Sequence, residues 1–253
     1  MKNFWQNDKT DIYIKLYDDF AGNLKTKEEL AFLKKQFSKE QKIIEFGCGT
    51  GRTLVPLIKA GYRISGLDFS KGMTGILKKK LSASGLSTPV FNKDLTKFSL
   101  KEKYDGGMLS QRTLNFITTP EGQRKALVNI SKTLKKGSIL IINLMPARPD
   151  DFSRKQVKLK KTGTFKNSST GNKVEYWENW LPDPMSQTWN FINRFVEKNK
   201  SISTDIKMRI IFETEMKNLL ELCGFKTLKV LGNWKGEKYA SKSKDMIFIA
   251  KKT

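Results

Sequence analysis

Ile43-Ile44-Glu45-Phe46-Gly47-Cys48-Gly49-Thr50-Gly51 joins an apolar run to one acid and then to glycines at every second position. A short apolar run followed by glycines reads as a buried strand ending in a tight loop. Glycine has no Cβ, so such a loop can take positive φ and let a ligand lie against its main chain. The spacing argues against two phosphate-binding loops. A dinucleotide fingerprint needs G-x-G-x-x-G, whereas Arg52 and Thr53 follow Gly51, and a P-loop needs a lysine that residues 47–53 lack. An acid at the strand end repels a pyrophosphate and attracts a cation. The stretch therefore points to a positively charged, nucleotide-like cofactor.

Working outward, strands and helices alternate. Residues 43–46, 63–67, 89–92, 104–109 and 138–144 read as strands. Residues 52–60, 71–84 and 121–134 read as helices, the second opened by Ser70 and the third closed by Lys135-Lys136-Gly137. Repeated units of this kind give a parallel sheet with right-handed crossovers, and ligands bind beyond its strand carboxyl ends. Before the sheet, apolar residues at helical spacing predict two helices over 11–37, broken at Gly22-Asn23. After Pro146 the pattern changes. Residues 154–173 read as a basic solvated loop, and 174–180, 188–196 and 202–212 as antiparallel strands, the first two joined by a turn at Pro182-Asp183-Pro184. A helix over 213–223 and strands over 225–231 and 246–250 close the chain. The expected fold is α/β: a doubly wound, mostly parallel seven-stranded sheet with an antiparallel β insertion before the last helix and strands. The expected domains are a helical lid (1–40), a cofactor domain (41–146 and 210–253) and a substrate-covering insertion (147–209).

Composition narrows the chemistry. The 253 residues contain no histidine and two cysteines, Cys48 and Cys223, which are expected to be free thiols. Serine–histidine and cysteine–histidine mechanisms are excluded, and no metal site is expected. The longest apolar run, residues 139–145, is too short to span a bilayer, and the N-terminus lacks a secretory signal, so a cytoplasmic chain without a membrane partner is expected. The formal net charge is +23, yet only eight of the 48 basic residues are arginine. Lysines scattered along the whole chain fit a solvated surface better than a dedicated phosphate reader, and RNA stays as the second partner class.

Residues 45–51 resemble the first signature of class I S-adenosylmethionine-dependent methyltransferases, in the small-molecule branch. Gly66-Leu67-Asp68-Phe69-Ser70 is similar to the second signature and Asn92-Lys93-Asp94-Leu95 to the third. Residues 133–140 look like the entry to strand five, and residues 213–225 with Gly232-Asn233-Trp234 like the tail. The resemblance covers residues 10–145 and 210–251. It implies S-adenosylmethionine as cofactor, held by Tyr17, Glu45, Gly47, Cys48, Gly49, Gly51, Asp68, Phe69, Met73, Asp94, Leu95, Ser110 and Gln111. In that reading Asp68 accepts the ribose diol, 23 residues after Glu45 as in a βαβ unit. Asp94 accepts from the adenine amino group, and Phe69 flanks the adenine or packs in the core. Ser110 and Gln111 touch the methionine part, and Tyr13 and Tyr17 belong to the lid.

The implied reaction is in-line methyl transfer to a small-molecule amine or hydroxyl, with RNA as the alternative acceptor. No catalytic residue is fixed. Tyr17, Arg112, Asn115, Glu175 and Glu178 are candidates, and the absence of histidine favours an acceptor that needs no strong base. The insertion's aromatic residues are expected to pack with one face and cover substrate with the other. The acceptor atom and the oligomeric state, a dimer included, are left open by the sequence.

Overall fold

The computed structural model describes residues 10–21, 26–147 and 158–253. The chain divides into two compact units, one formed by residues 25–146 and 211–253 and the other by 1–24 and 147–210.

The larger unit begins with α2 (Thr26–Gln36), and α1 (Thr10–Ala21) falls in the other unit. A seven-stranded sheet follows, built from β1 (Lys42–Phe46), β2 (Arg63–Asp68), β3 (Val90–Asn92), β4 (Tyr104–Leu109), β5 (Leu134–Leu144), β10 (Phe225–Leu231) and β11 (Met246–Lys252). Its order is β10-β11-β5-β4-β1-β2-β3, and antiparallel pairing is confined to β11 with its two neighbours. The strand order reverses between β1 and β4, so a crevice opens beyond their carboxyl ends. The helices α3 (Leu54–Lys59), α4 (Lys71–Ala83), α5 (Pro120–Thr133) and α6 (Glu213–Leu222) connect the strands.

Alternation along β1 shows why the sheet is covered on both faces. Ile44 and Phe46 join a core with Leu127 and Ile130 of α5 and Met216 and Leu220 of α6. Ile43 joins a second core with Leu57 of α3 and Leu77 of α4. Successive strand side chains point to opposite faces, so one apolar run feeds two cores.

Some boundaries differ from the sequence expectation. β5 starts at Leu134 and not at Ser138, because Lys135-Lys136-Gly137 enters the strand through a register shift opposite Tyr104 and Gly106. Gly137 absorbs the irregularity at φ +82°. A short 3-10 turn, Thr113–Phe116, also follows β4.

The smaller unit is a four-stranded antiparallel sheet in the order β6-β7-β8-β9. These strands are β6 (Lys160–Lys166), β7 (Lys173–Asp183), β8 (Thr188–Glu197) and β9 (Lys200–Arg209). Part of the stretch read as a basic loop is thus β6, an edge strand whose exposed lysines and threonines hide its pairing signal. The rest of that stretch up to residue 157, and the Gly22-Asn23 break, lie outside the described residues. Strand β7 runs on through Pro182 and Asp183, which pair with Trp189 and Thr188 where a turn was expected. The register places Tyr176, Trp180, Trp189, Phe191 and Phe195 on one face and Trp177 on the other. Helix α1 packs on the aromatic face, with the Phe20 ring 4.7 Å from Tyr176, which stacks on Phe195 at 5.2 Å. The Tyr176 hydroxyl donates to Asn193 Oδ1 at 2.8 Å, and the Ser168 N–H donates to Asp19 at 2.9 Å, tying α1 to the turn before β7.

Candidate functional site

The loop after β1 has three positive-φ glycines, Gly47 at +78°, Gly49 at +51° and Gly51 at +84°. Its N–H groups from Gly47 and Cys48 donate to the Leu67 carbonyl at 2.6 and 3.1 Å, pinning the loop to the end of β2. The three glycines are needed for different reasons. A Cβ at Gly47 would stand 2.3 Å from Thr113 Cγ2, and one at Gly51 would stand 2.4 Å from Leu77 Cδ1. A Cβ at Gly49 would meet no atom within 4 Å. The first and third glycines therefore serve close packing, and the second presents bare backbone on the open side of the loop.

Asp68 ends β2 and braces this loop. One carboxylate oxygen accepts from the Gly49 N–H at 2.9 Å and the other from the Ser70 N–H at 2.9 Å. Burial nevertheless pushes its carboxyl above the ordinary aspartate range, because water is excluded from the charged form. The N–H groups of Ser70, Gly49 and Phe69 oppose that rise, and the paired lone-pair positions of a carboxylate leave acceptor capacity beyond them. Asn92, at the end of β3, donates to the Asp68 and Phe69 carbonyls at 3.0 and 2.9 Å and fixes the turn that carries both residues. Phe69 is half-buried, whereas Met73 is buried and its N–H is capped by Ser70.

Beneath the glycine loop lies a charged cluster. Glu45 is fully buried, and burial raises its carboxyl to about 8, although nearby Arg52 and hydrogen bonds with Thr53 and Ser110 oppose that rise. Arg52 pairs at 2.6 Å with Glu29 of α2, which is also fully buried. One oxygen each of Glu45 and Glu29 has no hydrogen-bond partner. The Glu45 titration has a stability consequence. Its pKa is higher folded than unfolded, so the native state binds the extra proton. The stabilisation from this protonation is complete below about pH 4.5 and is lost as pH rises through about 8. Asp68 acts in the same direction. Glu45→Gln, which keeps the neutral form at all pH, is expected to raise stability at pH 8.5 by about 1–3 kcal/mol and to flatten its decline between pH 5 and 8.5. Urea denaturation across that range checks it, and an unchanged slope would contradict the assignment.

The segment after β4 is strained. Gln111 and Arg112 both adopt left-handed backbone at φ +48° and +63°. Such conformations cost non-glycine residues roughly 1–3 kcal/mol each and gather at functional sites. Thr113 stabilises the turn by donating to the Ser110 carbonyl at 2.7 Å while its methyl supports Gly47.

The remaining expected site residues have varied surroundings. The Asn115 side chain is fully buried and its oxygen accepts from the Met145 N–H at 3.2 Å, a tie between the ends of β4 and β5. Leu95 is in the core, and Cys48 is buried with Sγ directed at Gly66, its thiol pushed well above the usual range by burial. Asp94 is exposed and accepts twice from Thr96 at 2.8 Å, which caps its own turn. Tyr17, Glu175 and Glu178 belong to the smaller unit. Glu175 hydrogen-bonds Lys161 and Trp177, and the lysine holds its carboxyl below the usual range, which makes it a weak base. The Tyr13 side chain lies outside the described residues. Sequence reasoning missed Thr113, Asn92 and the Glu29–Arg52 pair, none of which follows a spacing rule.

The open glycine, the acid that braces it and the strained turn beside them sit at neighbouring strand ends. Residues 43–137 match the model of the methyltransferase domain family. They form a class I, S-adenosylmethionine-dependent methyltransferase domain. A putative methyltransferase of Geobacillus sp. is 22% identical over 225 residues, covering 86% of this chain and 88% of that one. The tRNA N(3)-methylcytidine methyltransferase of Schizosaccharomyces pombe is 24% identical over 199 residues, covering 72% and 62%. Among solved structures, the S-adenosylmethionine-bound amino pentose methyltransferase of Micromonospora echinaspora superposes with TM-score 0.74 at 16% identity, covering 96% of this chain and 97% of that one. The methyltransferase's antiparallel sheet is an addition to an otherwise Rossmann-like fold. Among its described residues no helix is long and apolar enough to cross a membrane, and no group of acidic, histidine or cysteine side chains could hold a metal.

Proposed function

We propose that the enzyme transfers the methyl group of S-adenosylmethionine to an amine nitrogen of a small molecule. The observation that carries this reading is the Asp68–Gly49 brace: a carboxylate with spare acceptor capacity beside backbone that no side chain covers. The bound cofactor supplies a methyl group on a sulfonium centre. Asp68 would hold the ribose diol, the open backbone at Gly49 would face the amino-acid end while Gly47 and Gly51 let the loop pack closely enough to present it, Phe69 and Met73 would line the adenine side, and Ser110 and Gln111 the methionine side. The chain's contribution is alignment, which can supply roughly 7–11 kcal/mol of barrier lowering. An uncharged amine carries its own lone pair, so a chain without histidine needs no strong base to use it.

The likeness to an amino pentose methyltransferase over nearly the whole chain supports a small amine acceptor. A second reading, RNA methylation, is supported by the fission-yeast relative and the +23 charge. Transfer of radiolabelled methyl from S-adenosylmethionine separates the two. Label is expected in a panel of small primary and secondary amines, including amino sugars. Label in tRNA alone would replace the first reading with the second.

A further inference from the structure

The strand ends opposite the glycine loop carry a concentration of positive charge. Lys42 opens β1 and Arg63 opens β2, Lys103 precedes β4, Lys135 and Lys136 lie at the start of β5, and Lys251 is near the end of antiparallel β11. The pairing register puts all six on one edge: Lys42 stands beside Arg63, Tyr104 beside Leu134, and Lys251 beside Ile139. With strands about 4.8 Å apart, the row from β11 to β2 runs about 19 Å.

Two of the acids on this edge are paired with lysines, and a third, Glu40, is exposed just before β1 and hydrogen-bonded by Ser38, with Lys39 beside it. Glu102 pairs with Lys42, and Asp105 pairs with Lys135 at 2.6 Å. Arg63 acts on both acids as a second cation, holding each carboxyl low beside its lysine. Like charges also crowd one another. Lys252 bonds the Leu134 carbonyl at 2.9 Å, and its ammonium is pushed below the usual lysine range first by burial and then by Lys103. Lys103, Lys136 and Lys251 make no ion pair among the described residues, and folding alone gives no reason to gather such cations beside the already paired ones, since their repulsion costs stability.

We propose that this edge, formed by the starts of β1, β2, β4 and β5 and the end of β11, is a docking surface for RNA, separate from the methyl-transfer site. A phosphate backbone supplies closely spaced negative charge over the length of the row, and contact would release condensed counterions. An anionic membrane would also want apolar side chains to insert. The exposed large apolar residues among those described are Met185, Phe212, Leu222 and Leu228, and none lies in the segments that open β1, β2, β4 or β5. The glycine loop is at the far ends of the same strands, so RNA held here is positioned by the enzyme and is not presented to the methyl group from this edge. The proposal therefore goes beyond the small-amine reading and does not depend on it.

The test is fluorescence anisotropy of a labelled tRNA transcript against the full chain over a salt series. The wild type is expected to bind with an affinity that falls steeply with salt. Arg63→Glu/Lys136→Glu/Lys251→Glu is expected to bind about tenfold or more weakly near 0.1 M salt, with a log–log salt slope shallower by roughly 2–3. Lys173→Glu/Lys200→Glu/Lys207→Glu, on the other sheet, makes the same change in net charge and is expected to lose no more than about threefold. If the first triple variant melts early, its glutamine counterpart takes its place, with the weakening and shallower slope again expected. S-adenosylhomocysteine affinity is expected to stay unchanged in both, which separates failure here from failure of the cofactor site. Absence of salt-dependent RNA binding by the wild type would overturn the proposal. Equal weakening by the two triples would do so as well, and so would capture by phosphatidylserine vesicles in place of tRNA.

Discussion

Asp68→Ala is expected to weaken binding of S-adenosylhomocysteine by about 100-fold or more, measured by calorimetry at pH 7.5. The carboxylate has two duties. It accepts the Gly49 and Ser70 N–H groups, which shapes the turn, and it is proposed to accept the cofactor's ribose diol with its remaining lone pairs. Hydrogen bonds to a charged acceptor are worth about 1.5–3 kcal/mol each, so losing two to the ligand exceeds a hundredfold. The cost in folding is expected to be smaller, about 1–2 kcal/mol. Two backbone donors lose their acceptor, but the expense of keeping a carboxylate away from water disappears with it. Asp68→Asn keeps one acceptor and loses the charge, and is expected to fall between wild type and alanine. Full cofactor affinity in the alanine variant would remove Asp68 from the site.

The sheet was legible because its information is local. Ile43-Ile44-Glu45-Phe46 followed by alternating glycines marks a buried strand and its loop, and Ser70 marks the start of the helix after β2, whereas Gly137, read as a helix stop, lies inside β5. The order of the strands comes from their alternation with helices, which leaves few topologies. The failures share a different cause. β6 was hidden because an edge strand is protected by the same lysines that mark a solvated loop. The buried state of Asn115 depends on Met145, 30 residues away, and the raised pKa of Glu45 is set first by burial in the folded core, then by Arg52, which opposes it, and by Glu29 of another element. Side-chain partners that are distant in sequence leave no periodic trace. The strain at Gln111 and Arg112 was also invisible, because neither residue type advertises left-handed backbone.

Gly49→Val and Gly51→Val should separate binding from folding within one loop. Both residues have positive φ, so either valine carries backbone strain of about 1–2 kcal/mol. At Gly51 the new Cβ would overlap Leu77 and Val55 at 2.4 and 2.9 Å. Leu77 is fully buried in the core between the sheet and its helices, so relief requires repacking, and a total loss of about 3–4 kcal/mol is expected. At Gly49 the Cβ meets no protein atom within 4 Å, so the folding cost stays near the strain alone. The same Cβ would stand on the uncovered backbone proposed to face the cofactor, where a branched side chain takes the ligand's space. Gly49→Val is therefore expected to melt within several degrees of wild type yet lose more than about 100-fold in S-adenosylhomocysteine affinity. Gly51→Val is expected to melt far lower, and any affinity it loses should track the fraction that remains folded. The discriminating quantity is affinity measured well below each variant's melting temperature. Near-native binding by a folded Gly49→Val would mean that the open side of this loop does not hold the methyl donor, and the cofactor would then have to be sought elsewhere along the strand ends.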